Sequence, residues 1–493
     1  MRDIIVIHPD DSVAIALRPI HKGETISVRD RELVILEDIA PGHKIALCSI
    51  EKGSNVLKYG YPIGRAKEMI PAGAWVHTHN LQTNLNQKLD YTYAPVLPEQ
   101  RREEAEYFLG YRRNDGKVGV RNEIWIIPTV GCVNSIAQQI EQKSRPLITG
   151  TVENVCAFQH PYGCSQLSED HAMTQEALAG LAKHPNAGGV LILGLGCENN
   201  NIQEFRAVLG EYDPERIRFL NCQDYPDEVD QGVECIRELI AYAGTCKREP
   251  CPAQELILGL KCGGSDGFSG ITANPLVGAA ADLLTAQGGT AVLTEVPEMF
   301  GAETILMNRC QSQEVFEKTV SLINDFKDYF TRHGQVVYEN PSPGNKAGGI
   351  STLEDKSLGC IQKGGRGSVV DVLKYGEPVR IRGLNLLQAP GNDLVAATAL
   401  VVSGAQIVLF TTGRGTPFHS PVPTVKISSN SDLYHRKKNW IDFNAGALLE
   451  NGSMENMSRD FFRYILEVAS GRQTLGEQHG FRDIAIFKDG VTL

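Results

Sequence analysis

The chain has no run of about 18 apolar residues, the length a membrane-crossing helix needs, so no span is expected. Its start, Met1-Arg-Asp-Ile-Ile-Val-Ile-His8, enters strand-like alternation at once and lacks the hydrophobic segment and cleavage site of a signal peptide. A cytoplasmic location is the expectation. Excess positive charge is missing as well. With 48 Lys and Arg against 59 Asp and Glu, the formal net charge of −11 argues against a nucleic-acid surface. An anionic substrate must therefore meet local cations or a metal. Three missing motifs narrow the chemistry further. No strand runs into G-x-G-x-x-G: Gly194-Leu-Gly196 continues as Cys-Glu-Asn-Asn and Gly413-Arg-Gly415 as Thr-Pro-Phe, which disfavours a nicotinamide oxidoreductase. There is no G-x-x-x-x-G-K-[ST] phosphate loop, and no C-x-x-C pair of the kind that marks a zinc ribbon.

Cysteine itself is plentiful. In a reducing compartment the twelve cysteines are expected as thiols or metal ligands rather than disulfides. Two stretches are near copies: Leu191-Ile-Leu-Gly-Leu-Gly-Cys197-Glu-Asn-Asn and Leu256-Ile-Leu-Gly-Leu-Lys-Cys262-Gly-Gly-Ser-Asp. A looser third, Ile124-Trp-Ile-Ile-Pro-Thr-Val-Gly131-Cys132-Val-Asn134, has the same form. Apolar runs of this length read as strands of parallel sheets buried on both faces. Polar clusters at the carboxyl ends of such strands are where open α/β sheets place ligands. Several cysteines are thus expected to converge on one cleft.

The 493 residues predict two or three domains. Residues 1–85 are rich in β-branched residues and broken by turn signals such as Pro41-Gly42 and Lys52-Gly53, which predicts a small β-domain. It closes with Trp75-Val-His77-Thr-His79-Asn80, where strand alternation places both histidines on one face. Residues 86–105 read as a linker. A central α/β domain over 106–252 and a C-terminal α/β domain over 253–493 follow, divided near the loop Lys247-Arg-Glu-Pro-Cys251-Pro252. Strand and helix patterns alternate in both, with helices expected at Ile202 to Leu209 and Val315 to Thr331 and strands at 256–260 and Thr290–Leu293. The fold class is α/β with mainly parallel sheets in two Rossmann-like subdomains.

Candidate chemistry falls in four places. Cys132, Cys164, Cys197 and Cys262 each adjoin a glycine in a strand-end or turn context, and three or four thiolates could hold iron or an iron–sulfur cluster. The alternative is small hydrophobes filling sheet ends. His77 and His79 could chelate one divalent ion; otherwise they sit on a solvated edge. His160, four residues before Cys164, suits ligation or proton transfer. The loop Asn340-Pro-Ser-Pro-Gly-Asn345-Lys346-Ala-Gly-Gly349 could cradle a carboxylate or phosphate on backbone N–H groups, and Arg414 in Thr411-Thr-Gly-Arg414-Gly-Thr416 could pair with a carboxylate. Ordinary tight turns are the alternative for both. Lys356 is a weaker candidate, expected in solvent.

Several motifs resemble one family from end to end. They are His77-Thr-His79-Asn80, Val118-Gly-Val-Arg-Asn122, Tyr162-Gly-Cys-Ser-Gln166, Gly194-Leu-Gly-Cys-Glu-Asn199, Cys262-Gly-Gly-Ser-Asp266, Thr272-Ala-Asn-Pro275, Asn340 to Lys346, Thr412-Gly-Arg-Gly-Thr-Pro417 and Ile486-Phe-Lys-Asp-Gly-Val-Thr-Leu493. Together they resemble the altronate and galactarate dehydratases. The His-x-His-Asn segment and Thr294-Glu-Val-Pro-Glu-Met-Phe-Gly301 resemble the altronate side. The resemblance implies an N-terminal SAF domain of β-clip fold. It also implies a hydro-lyase that takes D-altronate to 2-keto-3-deoxy-D-gluconate, with Fe(II), or Mn(II) in its place, as cofactor. Galactarate dehydration or a sulfolactate lyase is the alternative, and a non-catalytic sugar-acid binding protein a third. On this reading His160 and Lys346 are catalytic, and Ser265, Asp266, Asn345, Arg414 and Thr416 bind substrate. His77 and His79 hold the metal, with Cys132, Cys164, Cys197 and Cys262 as alternative cluster ligands. A homo-oligomer, a dimer, is the expected assembly.

Overall fold

A computed structural model describes residues 3–28, 31–85, 89–99, 102–450 and 452–493. In the first 85 residues short alternating runs separated by tight turns pair as antiparallel strands. Val13–Ala16 lies between Ile4–Ile5 and Lys44–Ala46, and Trp75–Val76 completes this sheet. Thr25–Val28 pairs with Arg31–Val34, and Asn55–Lys58, Tyr61–Ala66 and Leu81–Gln82 form a third small sheet.

Parallel sheets organise the rest. The central one has the order Asn154–Ala157, Glu123–Pro128, Ala187–Gly194, Ile217–Asn221. The C-terminal one has seven strands in the order Val369–Leu373, Leu384–Leu387, Thr290–Leu293, Ile257–Cys262, Ile407–Thr412, Thr424–Ser428, Phe443–Asn444. Helices Ser168–Ala182 and Asp393–Val402 pack on each other between the two sheets and share one apolar core with both. Helix Ile202–Leu209 and strand Thr290–Leu293 have the bounds the sequence pattern predicts. Lys247–Pro252 is not simply a loop. Glu249–Pro252 is an edge strand antiparallel to Tyr107–Arg112, where prolines at 250 and 252 need give no ladder N–H on the open side. Among the described residues no helix is long and apolar enough to cross a membrane.

The N-terminal domain sits on the C-terminal one through a continuous core that includes Val56, Ile63, Leu81, Leu353 and Leu358. At its centre Asp355 is clamped by two lysines from the N-terminal domain, Lys58 Nζ on Oδ1 and Lys44 Nζ on Oδ2, each at 2.8 Å. All three side chains are buried, and Lys44 also donates to Gly349 O at 2.7 Å. Burial lowers Lys44 to about 8 despite the facing carboxylate. Gly42 and Gly267 let the two backbones touch: a Cβ on Gly267 would lie 2.0 Å from Gly42 O. The segment 89–99 is tied down as well, with Tyr93 Oη donating to Cys310 O at 2.7 Å and Val96 N to Asn308 O at 2.7 Å.

Removing one partner of a buried ion pair typically costs about 3–5 kcal/mol, because the remaining charge stays in low dielectric. Asp355→Asn is therefore expected to lower the free energy of unfolding by about that amount. Urea titration of the variant beside the parent chain checks it.

Candidate active site at the sheet's carboxyl edge

Strand Ile257–Cys262 lies at the middle of the seven-stranded sheet, where the chain leaves first to one side (Thr290–Leu293) and later to the other (Ile407–Thr412). Such a switch point opens a crevice beyond the carboxyl ends of the strands. Two residues from this strand end, Lys261 and Cys262, are fully buried there. Glu295, just past the neighbouring strand, has a left-handed backbone (φ 70°) and no solvent exposure. It is held by an ion pair with Lys261, by Lys363 Nζ at 2.8 Å and by the Cys262 N–H at 2.9 Å. Lys261 also pairs with Asp393 at 2.9 Å.

One turn on, Glu298 is buried and divides its two oxygens. Oε1 takes Lys356 Nζ at 2.7 Å, and Oε2 lies 3.1 Å from both Cys262 Sγ and Cys360 Sγ, whose sulfurs are 3.5 Å apart. Among the described residues Cys262, Glu298 and Cys360 are the group of three or more metal-ligating side chains whose donor atoms meet within 4.8 Å. Burial alone would neutralise Glu298, but Lys356, Lys363 and Lys261 hold its carboxyl far below the usual range. Burial likewise opposes the charge on Lys356, yet Glu298 beside it holds the ammonium above its ordinary value. The Cys360 thiol is held high by its contact with Cys262 and by burial. Without a metal the site thus contains an ionised carboxylate, a protonated amine and a protonated thiol.

Beside this group lies a narrow cavity of about 10 Å³, lined by Lys58 and Tyr59 of the N-terminal domain and by Ser265, Asp355, Lys356 and Cys360. That is room for about one water. Ser265 Oγ, buried on its wall, has no hydrogen-bond partner among the described residues. An orphaned buried hydroxyl is uncommon and marks a place for a ligand or solvent.

The loops expected to bind substrate do adjoin one another. Asn345 Nδ2 donates to Ser265 O at 2.8 Å, Gly267 N to Gly348 O at 2.7 Å and Gly413 N to Gly264 O at 3.1 Å. Their side chains divide by role. Asp266 is consumed by its surroundings: Oδ1 accepts from Phe268 N, Ser269 N, Ser269 Oγ and Ser429 Oγ, and Oδ2 from Asn430 Nδ2. Asn345 Oδ1 caps Ser342. Thr416 Oγ1 accepts the Phe418 N–H. Arg414 is exposed on the neighbouring turn. The loop 340–349 is not an open anion nest, because its N–H groups are spent inside it: Asn345 N donates to Ser342 Oγ, Lys346 N to Ser342 O and Gly348 N to Gly344 O. The N-terminal domain docks on its carbonyls, with His77 Nε2 2.8 Å from Lys346 O and His43 Nε2 3.3 Å from Ala347 O. Lys346 itself is half-buried.

The two histidines of the His77-Thr-His79 segment do not share a strand face. The strand ends at Val76, and His77–Asn80 is a turn closed by Asn80 N and Leu81 N on His77 O. His77 is buried, with Nδ1 accepting from Thr78 N at 2.6 Å and Nε2 used on Lys346 O, so both ring nitrogens are spent. His79 is exposed against the Trp75 ring. His160 lies in the central domain, 2 % exposed, with Nε2 donating to Pro128 O at 2.8 Å and Nδ1 accepting from Tyr162 N at 3.2 Å. It is a bracket between strand ends, not a free proton carrier. Nor do the four cysteines share a cleft: Cys262 is buried with Cys360 and Glu298, whereas Cys132, Cys164 and Cys197 are exposed on loops of the central sheet. Lys356 is in the site rather than in solvent.

Three family models cover nearly the whole chain: the altronate/galactarate dehydratase SAF domain at residues 2–84, the D-galactarate dehydratase/altronate hydrolase second domain at 110–244, and the D-galactarate/altronate dehydratase C-terminal domain at 253–492. The chain belongs to the D-galactarate/altronate dehydratase family. It is a hydro-lyase. It is similar to the altronate dehydratase of Bacillus subtilis (strain 168), 54% identical over 498 residues and 100% of both chains. It is also similar to that of Escherichia coli (strain K12), 53% identical over 493 residues and 99% of both. The galactarate dehydratase (L-threo-forming) of Escherichia coli is 33% identical over 517 residues, 98% of this chain and 96% of the relative.

In this member of the family, sequence patterns alone missed Lys261, Glu295, Glu298, Cys360 and Lys363. Thr294–Gly301 stood out only as a motif of the resemblance, although its two glutamates lie just past the strand beside the one that ends in Cys262. Helix Leu353–Cys360 hid its role because Glu354-Asp355-Lys356 reads as a solvated charge run, yet every residue of it is buried.

Buried neutral histidines give this fold a pH signature. Burial lowers His160 to about 4 and His184 and His419 to about 3. The unfolded chain binds their protons near pH 6.5, so stability is lost as pH falls from there toward 4. The urea midpoint is expected to drop between pH 7 and pH 5. His160→Gln should flatten that drop, and an unchanged slope would show that the ring protonates freely in the fold.

Proposed function

We propose that the protein dehydrates D-altronate to 2-keto-3-deoxy-D-gluconate at the carboxyl edge of the seven-stranded sheet. The reading is carried by the buried pairing of ionised Glu298 with Lys356 beside Cys262 and Cys360, in a chain similar over its full length to altronate dehydratases. Dehydration breaks the C2–H and C3–O bonds, and the enol that forms tautomerises to the keto acid. The C2 proton, next to a carboxylate, is a very weak acid and needs both a base and positive charge on the developing enediolate. Glu298 can accept that proton once substrate parts it from Lys356, because the lysines that keep it ionised also make it a weak base. Lys356, held protonated, can donate to the departing C3 hydroxyl, which leaves as water. Lys363 and Lys261 add fixed positive charge behind them. Lys346 and Arg414, on the adjoining loops, offer cations to the substrate carboxylate.

Two thiols and one carboxylate oxygen with donor atoms inside 4.8 Å fit a single Fe(II), which Cys262, Cys360 and Glu298 Oε2 would hold, leaving Glu298 Oε1 on the Lys356 side for the proton. Bound there, the ion would supply Lewis acidity toward substrate oxygens. Manganese, which prefers oxygen ligands, is a poor match to this set. His77, with both nitrogens already in hydrogen bonds, does not fit the ion. A cavity of about 10 Å³ does not admit a six-carbon acid, so its walls have to part for substrate to enter.

Anaerobic assays with Fe(II) on altronate and galactarate test the reading. Keto-deoxy acid is expected from altronate, and product from galactarate alone, or sulfite release from sulfolactate alone, would overturn it. Glu298→Gln is expected to lower the rate at least a hundredfold, as loss of a positioned acid–base group does, with the circular dichroism spectrum kept. A parent-like rate would remove Glu298 from the chemistry.

A further inference from the structure

Four of the twelve cysteines are exposed, Cys48, Cys132, Cys164 and Cys197, and the last three lie on one edge of the central sheet. Thiols are usually among the most buried side chains, so three in solvent together are not packing. Each follows a different strand: Cys132 after Glu123–Pro128, Cys164 after Asn154–Ala157 and Cys197 after Ala187–Gly194, three neighbours in the sheet. Hydrogen bonds join the loops. Gly131 N donates to Tyr162 O at 2.8 Å and Asn200 N to Gly163 O at 2.9 Å, so the segment bearing Cys164 is held between the other two. Gly163 approaches the Cys132 loop so closely that a Cβ on it would lie 2.0 Å from Thr129 O.

Under the loops a buried polar frame keeps this shape. Glu198 accepts from Thr129 Oγ1 at 2.6 Å and from Leu195 N and Gly196 N, and Asn200 Nδ2 donates to Thr129 O at 3.0 Å. Asn200 Oδ1, fully buried in the frame, has no partner among the described residues. Each thiol also precedes a helix, Asn134–Ser144, Ser168–Ala182 or Ile202–Leu209, whose amino end favours negative charge.

We propose that Cys132, Cys164 and Cys197 bind an iron–sulfur cluster, as a site separate from the one at Cys262. A single tetrahedral ion with metal–sulfur bonds of about 2.3 Å needs its sulfurs about 3.8 Å apart. The three sulfurs do not all lie within 4.8 Å of one another, whereas the donor atoms of Cys262, Glu298 and Cys360 do. A polynuclear cluster accepts thiolates set wider apart than a single ion does, so it is the group proposed for this edge. The thiols take up a preassembled cluster by releasing their protons, with no change in the oxidation state of the protein. Three protein ligands leave one iron of a four-iron cluster open to an outside ligand, and the open edge makes the cluster oxygen-labile.

The test is anaerobic reconstitution of the full chain with a ferric salt, sulfide and a thiol reductant, followed by iron and acid-labile sulfide analysis and visible and electron paramagnetic resonance spectra. Acid-labile sulfide with a comparable amount of cluster iron is expected, lost in C132S, C164S and C197S and kept in C262S, C360S and C48S, whatever single iron the Cys262 site holds. Circular dichroism shows that each variant is folded; a cysteine variant that misfolds is replaced by alanine at the same exposed position. Iron without sulfide, no iron at all, or a cluster lost in C262S but kept in C164S would each overturn the proposal. Glu298→Gln should abolish turnover without changing the visible spectrum, so the two sites fail independently.

Discussion

Charge buried at the carboxyl edge of the seven-stranded sheet must be neutralised where it stands. Lys261, Lys356 and Lys363 sit opposite Glu295 and Glu298 with almost no access to water. Moving any one of these groups out of solvent alone costs several kcal/mol, so each depends on its partners being in place. The strands, the left-handed turn at Glu295 and the buried helix that ends at Cys360 are all held to that arrangement. A left-handed non-glycine residue costs about 1–3 kcal/mol and persists only where its surroundings over-determine it. Glu295, gripped by two lysines and a backbone N–H, is such a place.

The same rule joins the domains. Asp355 lies one residue before Lys356 on one helix, and its two oxygens face lysines from the N-terminal domain. That helix therefore meets the active-site charge network on one side and the docking contact on the other. Any movement of the N-terminal domain reaches the Lys356–Glu298 pair through a single turn of helix. The histidines of the docking face, His43 and His77, each set one ring nitrogen, Nε2, on the 340–349 loop and so act as joints between domains.

Much of the scaffold was legible in the letters. Apolar runs ending in Cys132, Cys197 and Cys262 marked buried parallel strands, because only a strand covered on both faces tolerates so little polarity. The turns around Gly42 and Gly53 announced a β-domain. The site was legible only in part. Ser265, Asn345 and Arg414 stand on loops that do adjoin, but Asp266, Thr416 and His160 spend their polar atoms on neighbouring backbone and side chains. A histidine or aspartate in a glycine-rich turn has the same spelling whether it faces substrate or caps its own loop.

Local order along the chain determined which segments become strands and helices, where strands end and which residue types stand at those ends, because periodicity and turn chemistry act over a few residues. Which strand ends meet was decided only in three dimensions. Cys262 could have joined Cys197, whose flanking sequence it nearly repeats, but the chain places the two in different sheets. It faces Cys360 instead, 98 residues away, because the crossover that returns the chain to the sheet lays the buried helix beside Glu298. Burial then set the charge states. The ionised Glu298 and protonated Lys356 exist as a pair only because folding removed water from both at once.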